Sequence, residues 1–225
     1  MLNYEVDPRL LEALVPASVE LDRWNNRVYV SVVGFLFNQT RVLGISVPGH
    51  VRFPEVNLRF YVRRHVDGEV RRGVVFIREL VPRRAIAIVA RLMYNEPYRA
   101  LPMRYRNERL GDGSTQRGYS WRTREGWTGI QARTRGAPRP LEHGSEEEFI
   151  TEHYWGYTRQ RDGGTIEYRV EHPRWNVWRT ADVSVPVNVA PVYGDAFAEA
   201  LSGTPRSVFV ADGSAVTVYA PTRIR

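Results

Sequence analysis

Period-two alternation is the feature that most limits what this chain can fold into. From Val56 to Arg63 (VNLRFYVR), Val56, Leu58, Phe60 and Val62 alternate with Asn57, Arg59, Tyr61 and Arg63, the pattern of a strand whose two faces meet different surroundings. Arg27 to Phe37 (RVYVSVVGFLF) is β-branched and aromatic, which fits a strand buried on both faces, with Gly34 at a bulge or a close approach. Asp67-Gly68 then marks a turn, and Gly73 to Leu80 (GVVFIREL) reads as the returning strand of a hairpin. Further strands are expected over Arg104–Arg109, Arg117–Arg122, Gly126–Arg135, Thr165–Glu171 and Val177–Val189. Gly111-Asp112-Gly113 reads as a turn, Gly136 to Gly144 as a loop, and Ser207–Tyr219 as a final hairpin turning at Asp212-Gly213.

Helical signals are few. Asp7-Pro8 opens a short helix through Val15 that Pro16 stops, Ser145 with Glu148 has capping-box form and predicts a helix through Glu152, and Asp195–Leu201 is ended by Gly203. Pro82 to Tyr94 mixes β-branched residues with helical spacing at Ile86, Val89, Ala90 and Met93, and the spacing predicts a helix. Many strands with a few short helices imply an α+β fold, mainly antiparallel β, and we expect one domain over residues 1–225.

Composition narrows the chemistry. All 32 basic side chains are arginine and there is no lysine, so a lysine nucleophile or Schiff base is closed to these residues. There is no cysteine, which removes disulfides and thiolate chemistry. The formal net charge of +7 has two readings: an anionic partner held by arginine forks, or arginine codons filling ordinary surface positions, and the second is preferred. Met1 to Leu14 lacks the basic and apolar regions of a signal peptide, and no uncharged apolar run reaches membrane-spanning length. A soluble, cytoplasmic protein without membrane association is the expectation.

The motifs of common enzymes are missing: there is no phosphate-binding G-x-x-x-x-G-K-[ST], no G-x-S-x-G and no H-E-x-x-H. Glutamate precedes histidine at Glu142-His143, Glu152-His153 and Glu171-His172. Neighbours on a strand point to opposite faces, so each pair offers one ligand at most, and neither a metal nor a cofactor is expected. Arginine interleaves with aromatics around Tyr94 to Arg99 and at Arg104-Tyr105-Arg106, a platform suited to single-stranded nucleic acid. The same alternation describes the outside of any arginine-rich sheet, and Glu96 and Glu108 interrupt it, so a nucleic-acid-associated protein is the outlying reading.

Several segments together resemble the acetoacetate decarboxylase-like superfamily, and more closely its uncharacterised bacterial branch, domain of unknown function 2071. They are Leu10-Leu11-Glu12-Ala13-Leu14-Val15-Pro16 with Val19 to Asp22, Val47-Pro48-Gly49-His50, Pro54 to Val62, Arg72 to Phe76, Ala87 to Tyr94, and Glu171-His172-Pro173-Arg174-Trp175. The resemblance covers most of the chain and is most specific over residues 40 to 105. It implies a closed, cone-like antiparallel β-barrel around a small-molecule cavity.

Decarboxylases of this superfamily carry an aromatic or apolar residue, proline and two lysines after a helix. The matching segment here is Asn95-Glu96-Pro97-Tyr98-Arg99, so Tyr98 stands at the nucleophile's position and Arg99 at that of its charged neighbour. A phenol forms no imine with a ketone, so the resemblance implies a relative without the Schiff-base mechanism. Phe53-Pro54-Glu55 matches the placement of the superfamily's active-site acid, which makes Glu55 a candidate acid or base beside Tyr98. Without the resemblance Glu55 reads as a turn glutamate. Arg91 matches the arginine before the lysine segment, and with Glu96 and Arg99 it completes the expected ligand-binding set; its ordinary reading is a helix residue paired with an acid. The implied ligand is a small anionic or carbonyl-bearing metabolite. The alternative is a lyase, isomerase or hydrolase in which Glu55 moves protons and Tyr98 and arginine steady an oxyanion. Assembly into a homo-oligomer is expected by analogy with the superfamily.

Overall fold

The computed structural model describes residues 1–38, 41–42, 45–46, 52–84, 87–88 and 95–224. In chain order the strands begin with β1 (Leu2–Val6), β2 (Glu20–Leu21), β3 (Val28–Asn38), β4 (Arg41–Val42), β5 (Ile45–Ser46), β6 (Arg52–Val66) and β7 (Glu69–Val81). They continue with β8 (Tyr98–Ala100), β9 (Met103–Arg109), β10 (Thr115–Thr123), β11 (Gly126–Arg139), β12 (Trp155–Arg159) and β13 (Thr165–Glu171). Last come β14 (Val177–Ser184), β15 (Ser207–Ala211), β16 (Thr217–Val218) and β17 (Thr222–Ile224). The described helices are α1 (Arg9–Glu12), α2 (Glu146–Thr151), α3 (Ala190–Tyr193) and α4 (Asp195–Ala200).

One large sheet runs in the order β16-β13-β12-β7-β6-β3-β1-β15-β14-β11-β10-β9. Nearly all its ladders are antiparallel; β12 and β8 lie parallel to β7. The expected mainly antiparallel α+β architecture is present. Among the described residues, however, no ladder joins β9 to β16, and the sheet is an open path rather than a closed barrel.

The alternation read from the sequence sets the two faces of the sheet. Val56, Leu58, Phe60 and Val62 of β6 lie in one core with Val28, Val30 and Val32 of β3 and with Trp121 and Ile130 from β10 and β11. The sheet thus curls so that β10 and β11 pack over β3, and the curl is filled with apolar side chains. Gly34 permits this closeness: a Cβ there would stand 2.5 Å from the Tyr119 ring. The hairpin of β6 and β7 turns on Asp67-Gly68, both at positive φ (49° and 83°), the backbone of a two-residue turn that matches strand twist. Its register from Val66↔Glu69 through Asn57↔Glu79 holds across one irregularity at Leu58/Arg59.

Several local expectations are corrected. The hairpin over Ser207–Tyr219 does not form: β15 pairs with β1 and β14, while β16 pairs with β13. Strand β14 ends at Ser184, ahead of Pro186, which cannot donate to a ladder. Strand β11 continues through Gly136 to Arg139, where a loop was expected. Strands β1 and β12 were not anticipated; one is short and charged at its end, the other is interrupted by Gly156. Ser145 caps α2, its Oγ accepting from the Glu148 amide at 3.1 Å, but the Glu148 carboxylate accepts from the Gly144 amide at 2.6 Å rather than from Ser145, so half of the expected capping box is present. Most of the helix expected over residues 82–94, together with Arg91, lies outside the described residues.

Candidate functional site

The face of β6 turned away from the apolar core carries Phe53, Glu55, Asn57, Arg59 and Tyr61. On the adjoining strands, ladder partners bring Glu79 beside Asn57 and Tyr98 beside Glu79. Two-residue periodicity therefore gathers Glu55, Asn57, Glu79 and Tyr98 on one surface. Glu96 joins from the turn before β8, where Asn95 takes a positive φ of 55°, a conformation asparagine adopts with little strain.

All five side chains are buried, Glu55 at 2% and Glu79 at 1% relative exposure. Tyr98 donates its hydroxyl to Glu55 Oε2 at 3.3 Å, and Asn57 donates Nδ2–H to Glu55 Oε1 at 3.4 Å. Tyr168 of β13 donates to Glu96 Oε1. It gets there by lying across Gly156 of β12, where a Cβ would fall 2.1 Å from the ring. Phe53, Val81 and Ala87 form an apolar wall against Tyr98.

Charge is what sets this cluster apart. The three carboxyls feel burial, one another, and hydrogen bonds from Asn57, Tyr98 and Tyr168, with no cation among the described residues acting on them. Burial pushes Glu55 up to about 8, aided by the charge of Glu96 and opposed by its two hydrogen bonds. Burial likewise lifts Glu96 to about 7 against the Tyr168 hydrogen bond. Glu79 is raised well above the carboxylate range by burial and then by Glu96 and Glu55. The Tyr98 phenol is raised as well, by burial and the neighbouring acids, so it remains a donor at neutral pH.

Of the five expected site residues, Glu55, Glu96 and Tyr98 converge. Arg99 does not: adjacent residues of β8 alternate, and its exposed guanidinium donates to the Pro191 carbonyl of α3 at 2.6 Å. Arg91 lies outside the described residues. Asn57, Glu79 and Tyr168 were missed. Glu79 left a trace, as a lone acid inside the apolar run Val74 to Val81; Tyr168 left none, since its approach depends on β12. Among the described residues no group of three His, Asp or Glu side chains is placed to hold a metal ion. Two surface clefts, about 640 Å³ beside Asp112 and Arg133 and about 310 Å³ between β1 and α4, lie apart from the carboxyls.

A second buried polar group occupies the other end of the same sheet face. Asp22 accepts from Arg72 Nε at 2.7 Å and pairs with His153 Nε2 at 3.1 Å. The imidazole packs against the Tyr61 and Phe149 rings. Burial opposes the charge on Asp22, yet His153 and Arg72 hold its carboxyl below its ordinary value. Burial drives His153 down to about 4, so it is neutral at pH 7.

Comparison with known proteins places this arrangement. A model of the family DUF2071, described as an uncharacterized conserved protein, matches residues 1–215. The chain belongs to the DUF2071 family. A relative of this DUF2071 protein, the uncharacterized protein YqjF of Bacillus subtilis, is 29% identical over 187 residues, covering 83% of this chain and 74% of YqjF. Among solved structures, an acetoacetate decarboxylase-like enzyme from Sphingomonas wittichii superposes with a TM-score of 0.60 at 14% identity, over 100% of this chain and 89% of that one. The acetoacetate decarboxylase of Legionella pneumophila gives 0.53 at 14% identity, over 99% and 79%. The enduracididine biosynthesis enzyme MppR in complex with pyruvate gives 0.59 at 11% identity, over 99% and 83%. At these identities the likeness shows the fold: this DUF2071 chain has the acetoacetate decarboxylase-like fold.

Proposed function

We propose that the cluster of Glu55, Glu79, Glu96 and Tyr98 binds a small carbonyl-bearing metabolite, anionic 2-oxo acids included, without Schiff-base chemistry. The observation that carries this reading is three buried carboxyls and a phenol gathered without a described counter-cation. Groups that keep their protons at neutral pH donate hydrogen bonds, and a carbonyl oxygen is the acceptor they suit. The absence of lysine from the sequence supports a non-covalent mode. That a structural neighbour holds pyruvate makes pyruvate the first probe. Titration calorimetry at pH 6.5 is expected to give saturable pyruvate binding, weakened at least tenfold in Tyr98→Phe; no binding by the wild-type chain at millimolar pyruvate refutes the reading.

The Glu55–Tyr98 hydrogen bond favours an enzymatic version. Ionised Glu55 would take a proton from the carbon next to the carbonyl, while the Tyr98 hydroxyl donates to the enolate oxygen and the proton returns from Glu55. In D2O, pyruvate methyl protons are expected to exchange faster as pH rises through about 8, with Glu55→Gln inactive. An exchange rate equal to the protein-free rate leaves binding alone.

A further inference from the structure

Away from the carboxyl cluster, the outer surface of β9, β10 and β11 is rich in arginine. On β10, Tyr119 and Trp121 pack against the apolar core, so Gly118, Ser120 and Arg122 face outward. The ladders place Arg104 and Arg106 of β9 and Trp127 and Gly129 of β11 on the same outer surface. Arg133 and Arg135 follow along β11, and Arg179 of β14 stands directly opposite Arg135. Gly118, Ser120 and Gly129 make a low floor between these long side chains. Across that floor the Arg104 guanidinium reaches over the Trp127 ring, 4.1 Å from its centroid, and Trp127 stays 39% exposed.

Charge singles out this surface. Glu108 matches Arg106 at 2.7 Å, and Asp112 and Asp182 match Arg133 at 3.3 and 2.8 Å. Arg104, Arg122, Arg135 and Arg179 are exposed and pair with no acid among the described residues. Like charges directly opposite on a ladder repel, and an anion between Arg135 and Arg179 would relieve this. The two acids that interrupt the arginine-aromatic track in the sequence leave no free negative charge here, since Glu96 is buried in the carboxyl cluster and Glu108 is matched.

We propose that this surface binds a single strand of nucleic acid, one base stacking on the Arg104–Trp127 pair and phosphates meeting Arg122 and the Arg135–Arg179 pair. Every base has a flat face, so such stacking is indifferent to sequence, and guanidinium forks suit phosphate oxygens. From Trp127 to Arg135, β11 runs about 26 Å at ~3.3 Å per residue, room for several nucleotides. A duplex offers phosphates but keeps its base faces stacked. A second copy of the chain would bring its own unmatched arginines to the contact, and an acidic peptide would leave Trp127 without a flat partner.

The test is fluorescence anisotropy of labelled oligo-dT and oligo-U of about twelve nucleotides, titrated with the full chain at several salt concentrations; the two probes distinguish DNA from RNA as the source of the strand. Saturable binding is expected, its log affinity falling against log salt with a slope between about −2 and −3, since each phosphate contact on a single strand contributes about 0.7. Trp127→Ala should weaken binding at least fivefold without changing the slope, and Arg135→Ala with Arg179→Ala should make the slope shallower by about one. Arg23→Ala with Arg161→Ala, exposed arginines beside β2 and in the β12–β13 turn, should alter affinity less than about twofold. No saturable binding overturns the proposal, as does a control pair that weakens binding as much as the Arg135 and Arg179 pair, which would assign the affinity to net charge alone. A duplex or an oligoglutamate peptide of equal length that binds as tightly as the single strands overturns it too. So does a dimer, seen by light scattering, that Trp127→Ala abolishes, because the surface would then belong to a second copy.

Discussion

The same face of the same sheet buries two polar groups with opposite electrostatic outcomes. At one end Asp22 sits between Arg72 and His153, and its carboxyl stays ionised although buried. At the other end Glu55, Glu79 and Glu96 find no cation among the described residues and are driven toward their neutral forms. Burial is nearly equal in the two places, so partners rather than solvent access decide the charge state. A paired acid is committed to the fold, since both its lone pairs and its charge are spent. Unpaired acids retain capacity for something from outside, and that difference separates a structural cluster from a candidate site.

The two ends also oppose each other in pH. Glu55 is raised from its unfolded value, so its contribution to stability is full below about pH 4.5 and is lost as pH rises through about 8. His153 is depressed from 6.5 to about 4, so its contribution is full above the unfolded value and is lost as pH falls through that interval. Stability is therefore expected to be greatest on the mildly acid side of neutrality and to fall on both flanks, which denaturant melts from pH 4 to 9 measure.

The contrast is most severely tested by removing the paired acid. Asp22→Ala strands His153 and Arg72 and is expected to cost about 3 kcal/mol at pH 7, the penalty of breaking a buried pair; a loss under ~1 kcal/mol, read from urea melts, makes the cluster incidental. Glu55→Gln should do the reverse at pH 9, raising stability by about 2 kcal/mol because a buried acid no longer has to ionise, with little effect at pH 5. If it destabilises equally at both, the carboxyl is not held neutral. Gly156→Ala pushes a methyl into the Tyr168 ring and should cost about 1–2 kcal/mol. It also frees Glu96 from its phenol, so the alkaline limb of the pH profile should move to higher pH; an unchanged limb would mean Tyr168 plays no part in setting that charge. Ser145→Ala removes the cap of α2, whose Phe149 lies over the paired cluster, at a cost of about 1 kcal/mol, with no change on the alkaline limb.

What was legible in the sequence follows the range of the physics involved. Period-two alternation is local, so β3, β6, β7 and the faces of β6 could be read directly. Strand pairing is not local: β1 and β15 meet across most of the chain, and nothing near either announces the partner. Tyr98 and Glu55 came from a resemblance, while the same alternation that ruled out paired use of Glu-His neighbours also forbids Tyr98 and Arg99 from sharing a site. Glu79 was an acid in an apolar run and was open to the same reasoning. Tyr168 depended on Gly156, whose missing side chain makes room for the ring.

Strand β1 lies between β3 and β15, with Leu2 registered to Val32 on one side and Val208 on the other. Among the described residues it is the one strand that joins the half of the sheet ending in β16 to the half ending in β9. During synthesis the first partner is available within about thirty residues, but the second emerges only when some two hundred have been made. Until then the edge of β1 is open to any other strand. Contacts so distant along the chain form slowly, so docking of β15 onto β1 is expected to be the last and rate-limiting event of folding, and the interval before it the one in which this chain most needs protection from its neighbours.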